Sequence, residues 1–268
     1  MKKERDLTSG NITSGLWAFA VPLMLGNVIQ QFYNLADTWI VGRYIGNIGL
    51  AAVGSSYTLM TFLTYIIIGL CLGNSTFISM EYGKKNIEKI RNGICISFVM
   101  ILAVTVGIII IFYGFLDEII KMLQVPKDTV ADMKVYLAYV FIGFFATFIY
   151  NYISNVLRAI GNSVIPLIFL GVSVVLNVFL DILFVAVLKM GIMGAAVATV
   201  ISQYISALGT FGYYFFQYPQ LKVRKSDIKW NKSNFKSILS LSGFTCIQQS
   251  VMNFGILMVQ GLVNSFGT

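Results

Sequence analysis

Histidine is absent from the 268 residues, and only eleven acidic residues stand against nineteen lysines and arginines. The first absence removes the commonest catalytic base and metal ligand. Cysteine occurs three times, and Cys71, Cys95 and Cys246 each sit alone in an apolar run. That odd, scattered set gives neither a zinc spacing nor a disulfide framework, so the three read as small core residues. Phosphate-loop and hydrolase motifs are missing, and the adjacent loop acids Asp117 and Glu118 decorate a helix end, so no enzyme is expected. Charge itself is scarce: charged residues make up 11% and hydrophobic residues 57%, against roughly 25% and 45–50% in a soluble domain. With a mean hydropathy of +0.80, a soluble fold is excluded and the solvent is lipid.

What is present is a series of long apolar runs. A bilayer-spanning helix needs about 20 mostly apolar residues, and seven segments reach that length, at 16–42, 52–80, 92–115, 134–157, 162–188, 191–216 and 237–265. Barrel strands would be about 10 residues of alternating polarity, whereas Ile101 to Phe112 is apolar on both faces. The first run is no cleavable signal: it is too long and carries Asn27, Gln30, Gln31, Asn34 and Asp37.

The basic residues record orientation. With a cytoplasmic N-terminus, the inside collects Lys2, Lys3, Arg5, Lys84, Lys85, Lys89, Arg91, Arg158, Lys222, Arg224, Lys225, Lys229, Lys232 and Lys236, fourteen of the nineteen. Arg43, Lys121, Lys127, Lys134 and Lys189 remain outside, so the positive-inside rule selects this arrangement and leaves no nucleic-acid patch to explain. Tyr213, Tyr214, Tyr218 and Trp230 near the same boundary read as interfacial anchors. The seventh run resembles the first: Ile247-Gln248-Gln249 followed by Asn253 repeats Ile29-Gln30-Gln31 followed by Asn34. The expected organisation is a cytoplasmic tail at 1–15, a six-helix lobe at 16–216, a basic cytoplasmic linker at 217–236, and at 237–268 a seventh helix opening a second lobe that breaks off at Thr268. Transporters are commonly built from such repeats.

Only Asp37 and Asp181 place a carboxylate within an apolar span. A central aspartate costs about 2.5–3.5 kcal/mol on translocon scales, and such groups face a bundle interior or a watery cavity. Both fall roughly 8–10 Å below the outer ends of their helices, and Thr199 of the sixth run reaches the same layer. Each belongs to a polar stripe at three- and four-residue spacing: Asn27, Gln30/Gln31, Asn34 and Asp37/Thr38; Ser173, Asn177 and Asp181; Thr199, Ser202/Gln203 and Ser206. Such stripes either line a cavity or knit helices together by hydrogen bonds. Two close carboxylates cannot both ionise comfortably, so the pair can hold a proton. The same oxygens, with neutral ones from Asn177 and Thr199, also suit a small cation such as sodium. Pro22 interrupts the backbone ladder of the first helix and gives it a place to bend. Gly42-x-x-x-Gly46 and Gly69-x-x-x-Gly73 permit close helix contact.

Pro22, the run Gln30-Gln31-Phe32-Tyr33-Asn34-Leu35-Ala36-Asp37, Val41-Gly42 and Leu50-Ala51-Ala52-Val53-Gly54 resemble the first helix and following turn of the multidrug and toxic compound extrusion (MATE) transporters. Arg158-Ala159-Ile160-Gly161-Asn162-Ser163 to Pro166, Asn177-Val178-Phe179-Leu180-Asp181 and Gly191 to Thr199 are similar to the family in order and spacing. The resemblance covers essentially the whole chain and lies nearest the DinF-like prokaryotic branch. It implies an all-α polytopic membrane protein of the plasma (inner) membrane, comprising a six-helix transporter lobe and the first helix of a second, truncated lobe. It also implies an antiporter that takes in a proton or sodium ion and exports a cationic amphiphilic compound, with no cofactor beyond the coupling ion. By that resemblance the cation site is Asp37, Asn177, Asp181 and Thr199. Tyr33, Asn34, Gln30 and Asn151 are placed nearby along the cavity, and Pro22 is the hinge of the first helix. The resemblance further implies that a second lobe is needed for transport. The competing expectations are a flippase of lipid-linked precursors, disfavoured because no Lys or Arg lies mid-membrane, and a non-transporting membrane protein.

Overall fold

The computed structural model describes residues 12–224 and 227–266, with no strand among the described residues. The helices are α1 (Ile12–Tyr44), α2 (Asn47–Gly83), α3 (Ile87–Gly114), the short α4 (Leu116–Met122), α5 (Val130–Ala159), α6 (Val164–Asp181), α7 (Gly191–Gln217) and α8 (Lys232–Ser265). All but α4 are long and apolar enough to cross a membrane, seven spans among the described residues. The fold is all-α, as expected.

Helix ends depart from the apolar runs by several residues. α2 begins at Asn47 rather than 52, and α8 at Lys232 rather than 237. Hydropathy stops at the first polar residues, but a helix continues as long as its end is capped. Asn231 caps α8 by accepting hydrogen bonds from the backbone N–H groups of Ser233 (3.0 Å) and Asn234 (3.1 Å). Elements with no counterpart in the sequence reading include α4, in the segment read as a loop, a 3-10 turn at Pro219–Leu221 in the linker, and a π-helical turn at Ile182–Val187 that continues α6 directly beyond Asp181.

The core is built around α5, which packs between α2 and α7. It buries Phe141, Phe144, Phe148 and Tyr152, a row of aromatics at helical spacing that packs ring against ring with Phe98, Phe112 and Tyr113 of α3. Phe112 of α3 stacks on Phe141 with ring centroids 3.6 Å apart. The Tyr152 hydroxyl donates to the Ile94 carbonyl at 2.6 Å and lies 2.8 Å from Ser97 Oγ, so the one polar tip in this cluster is satisfied. α1 lies at the rim against α6 and α2. It turns Trp17, Phe32 and Trp39 outward, which lipid tolerates without cost.

The two glycine pairs play different parts. At Gly69 a Cβ would lie 2.6 Å from Cys246 Cα, and at Gly73 it would collide with the Ser242 backbone. These two glycines let α8 lie against α2 backbone to backbone. The close approach brings Ser242 Oγ to the Leu70 carbonyl (3.0 Å) and Thr245 Oγ1 to the Gly69 carbonyl (2.6 Å). Gly42 faces only the Leu50 side chain, and Gly46 has open space around it but a φ of 94°. The Gly42-x-x-x-Gly46 expectation is thus corrected: Gly46 serves the left-handed turn from α1 into α2, a conformation that a Cβ disfavours.

Candidate functional site

Asp37 on α1 and Asp181, the last α-helical residue of α6, come from helices that pack against each other. Their carboxyl groups are near neighbours. Asp37 is 8% exposed and Asp181 fully buried. Asn177 precedes Asp181 by one turn, on the same face of α6, and is also fully buried. Asp37 Oδ1, both Asp181 oxygens and both amide atoms of Asn177 find no hydrogen-bond partner. Two ionised carboxylates are acceptors only, so nothing in the pair can donate. A buried charge left this way is costly, and the arrangement is satisfied chemically by a proton shared between the carboxylates or by a small cation held among their oxygens.

Thr199 of α7 closes the other side. Tyr33, one turn before Asp37, donates its hydroxyl toward Thr199 Oγ1 at 3.5 Å, a long contact that marks neighbourhood more than strength. Tyr136 of α5 is buried beside the same group of side chains. The site therefore joins α1, α5, α6 and α7 in one layer. The π-helical turn begins at the residue after Asp181. π-helical insertions are rare and recur at functional sites, and this one places a break in the regular backbone ladder directly behind a buried carboxylate.

Asp37 and Thr199 open onto a cavity of about 350 Å³ walled by α1, α2, α5, α6 and α7. Asp181 and Asn177 stand behind that wall. Gln30, Tyr33, Asn34 and Asn151, each placed at the cavity by the sequence reading, all line it. Asn34 donates to the Tyr57 hydroxyl at 2.7 Å and so ties α1 to α2 across the opening. Among the described residues, no lysine or arginine is in the lining. The cavity offers aromatic faces and neutral dipoles with a single carboxylate among them. Pro22 lies inside α1, which continues through it. Its ring nitrogen cannot donate, leaving the Ala18 carbonyl without its helical partner about four turns from Asp37.

The polar stripes divide their work. Ser173 donates to the Ser202 carbonyl (3.0 Å) and Ser206 to the Phe169 carbonyl (3.1 Å), stitching α6 to α7. Gln203, between them on α7, instead leaves its Oε1 unpartnered at the cavity. Lining residues that the sequence reading missed include Tyr57, Thr61, Thr64 and Tyr65 of α2, and Tyr136. The α2 set recurs at the same three- and four-residue spacing as the stripes that were recognised. Tyr136 carries no such signal, because a lone tyrosine near a helix end reads as an interfacial anchor.

Comparison with known proteins gives a consistent result. The MatE family model matches residues 22–183. The probable multidrug resistance protein YpnP of Bacillus subtilis is 32% identical over 273 residues, covering 99% of this chain and 59% of that relative. The probable multidrug resistance protein NorM of Thermotoga maritima is 27% identical over 258 residues, covering 94% of this chain and 55% of the relative. The chain thus spans somewhat over half the length of these curated relatives. Among solved structures, an outward-facing multidrug resistance MATE family transporter superposes with a TM-score of 0.87 at 24% identity, over 96% of this chain and 57% of that one.

Proposed function

The chain belongs to the MatE family, and from that premise we propose that it forms the ion-binding lobe of a cation-coupled exporter in the plasma membrane, with its N-terminus cytoplasmic. Asp37, Asn177, Asp181 and Thr199 bind a proton or a sodium ion. Tyr33 and Tyr136 border them, and the cavity receives the exported compound. The observation that carries this reading is the pair of buried carboxylates from two helices, with unpartnered oxygens, at the wall of a cavity that holds no basic residue.

The chemistry follows from exclusion of charge. A cationic amphiphile can rest its apolar body on Tyr57, Tyr65 and Tyr150 and its charge toward Asp37. An entering proton or sodium ion neutralises the carboxylate pair and removes the attraction, so ion and substrate compete for one negative site. Coupling is that difference in affinity between the ion-loaded and ion-free states. Pro22 offers α1, which carries Asp37, a point at which to bend when the site is neutralised. Exchange of inward ion for outward compound is then the function of the complete transporter, to which the segment 16–216 contributes the lobe, 217–236 the cytoplasmic linker and 237–268 the first helix of the following lobe. The absence of basic residues from the cavity supports a cationic substrate over an anionic lipid-linked one.

The test is binding of a planar cationic dye such as ethidium to the purified protein, titrated with acid and separately with sodium. Wild-type protein is expected to release dye as pH falls or as sodium rises, and whichever titrant acts identifies the coupling ion. Asp37→Asn and Asp181→Asn are each expected to remove the dependence. Undiminished dependence in both variants refutes the assignment.

A further inference from the structure

The basic residues at the N-terminal end of α8 are more than a record of orientation, because the structure fastens them into one surface. Asn92 of α3 donates through Nδ2 to the backbone carbonyls of Asp227 (2.9 Å) and Lys229 (2.8 Å) and accepts through Oδ1 from Asn234 of α8 (2.7 Å). Asp227 is buried, pairs with Arg91 Nε at 3.0 Å and accepts from the Arg224 backbone N–H at 2.8 Å. The connection between α7 and α8 is thereby pinned against the start of α3. Its two flanks are left standing proud on either side of the pin.

Those flanks combine cations with outward-facing apolar groups. On the α7 side Lys222 Nζ lies 3.6 Å above the Phe215 ring, beside an exposed Phe216 and an exposed Arg224. On the α8 side Lys229, Lys232 and Lys236 are exposed. Trp230, 69% exposed, leans on Phe235 with centroids 4.6 Å apart, next to an exposed Ile228. Lys85 of the α2–α3 turn and Lys89 in the first turn of α3 add to the same end of the bundle. Of the acids there among the described residues, Asp227 is consumed by Arg91 and Glu81 by Lys84 at 2.7 Å, and Glu88 remains exposed without an ion pair. Height is set by α8: its 34 residues extend about 51 Å, well beyond the roughly 30 Å hydrocarbon core of a bilayer. A helix that crosses that core carries its polar first turns, and Trp230 beside them, out of the hydrocarbon to the level of the headgroups.

We infer that this pinned connection is a binding surface for anionic phospholipid headgroups, with Lys222, Arg224, Lys229 and Lys232 meeting the phosphates and Trp230 and Ile228 inserted among the acyl–headgroup boundary. Charge complementarity and the exposed aromatic select a lipid surface over a soluble anion, since a free phosphate has no use for Trp230.

Tryptophan provides the reporter. The chain has three tryptophans, and replacing Trp17 and Trp39 by Phe leaves Trp230 alone. The full chain is reconstituted in phosphatidylcholine nanodiscs containing a minor fraction of brominated phosphatidylglycerol or, separately, of brominated phosphatidylcholine, and quenching of Trp230 is measured. Phosphatidylglycerol is expected to quench at a tenfold or more lower mole fraction. Each basic residue near an anionic surface contributes roughly fivefold, so Lys222→Gln, Arg224→Gln, Lys229→Gln and Lys232→Gln together are expected to abolish the preference. All four are surface positions, and far-UV circular dichroism verifies that the variant remains folded. Lys121→Gln, Lys127→Gln and Lys134→Gln at the opposite end are expected to leave it intact. Equal quenching by the two lipids overturns the inference. So does a preference that survives the fourfold variant, or one that millimolar inorganic phosphate erases, which would point to a soluble anion.

Discussion

Replacing Gly73 by alanine puts one methyl group where α2 and α8 touch. The added Cβ collides with the Ser242 backbone, which is no flexible side chain that can swing away, so α8 must move. Moving it breaks the hydrogen bonds from Ser242 to Leu70 and from Thr245 to Gly69. Interhelical hydrogen bonds in membranes average about 0.6 kcal/mol, giving about 1.2 kcal/mol for the two, and forced overpacking adds about 1–3 kcal/mol. Against this, alanine is favoured over glycine in a helix by about 0.5–1 kcal/mol. The net expectation is a destabilisation of about 1–4 kcal/mol. Gly107 of α3 is the control: a Cβ there meets nothing within 4 Å, so Gly107→Ala should stabilise by up to about 1 kcal/mol. The assay is unfolding in mixed micelles of increasing SDS fraction, followed by far-UV circular dichroism. The opposite signs are the signature. Two variants that shift the midpoint in the same direction refute the backbone-to-backbone contact at Gly73.

Two further predictions concern the ends of the bundle. Asn92→Leu removes three hydrogen bonds that hold the α7–α8 connection. With a local cost of about 1–3 kcal/mol for the groups left unpaired, tryptic cleavage after Arg224 and Lys229 should accelerate at least fivefold, and an unchanged cleavage rate would refute the pinning role. At the opposite end, the Lys134 ammonium, hydrogen-bonded to Asp117, holds that exposed carboxyl below the ordinary aspartate range. A lowered value means the folded state favours the carboxylate, so its contribution is present above the unfolded-state value and lost as pH falls through the folded one. Carbon NMR of labelled aspartate should therefore show the Asp117 midpoint below that of a free side chain. Lys134→Met or high salt should move it up with no measurable change in melting temperature, because the pair is open to solvent. A midpoint indifferent to Lys134 would refute the pairing.

The parts of this protein that could be read from its sequence are those in which lipid imposes a strong compositional rule. All seven spans appear as apolar runs, because a bilayer tolerates nothing else over that length. Asp37 and Asp181 stand out for the same reason, and the stripes beginning at Asn27 and Ser173 are visible as helical periodicity. The remainder fails to register where that contrast is lost. The π-helical turn at Ile182–Val187 is written in apolar residues that would serve an ordinary α-helix equally well. α4 lies in a mixed segment whose helix depends on local hydrogen bonds. Tyr136 becomes a site residue only because α5 is packed at the centre of the bundle, which no single-helix pattern reveals. Whether a polar stripe lines a cavity or stitches helices also depends on neighbours: Ser206 reaches the Phe169 carbonyl, while Gln203 three residues earlier leaves its Oε1 unpartnered.

The contact between α2 and α8 also sets a timetable. Ser242 and Leu70 are 172 residues apart in the chain, and synthesis proceeds at about 5–20 residues per second. For roughly 10–35 s after α2 is made, its glycine-lined groove has no helix to receive, and acyl chains must occupy it. α8 then enters by displacing lipid from a site that has been ready since early in synthesis. A span made much later thus docks into one of the first, and the glycines that permit this packing stand ready long before the helix that they receive.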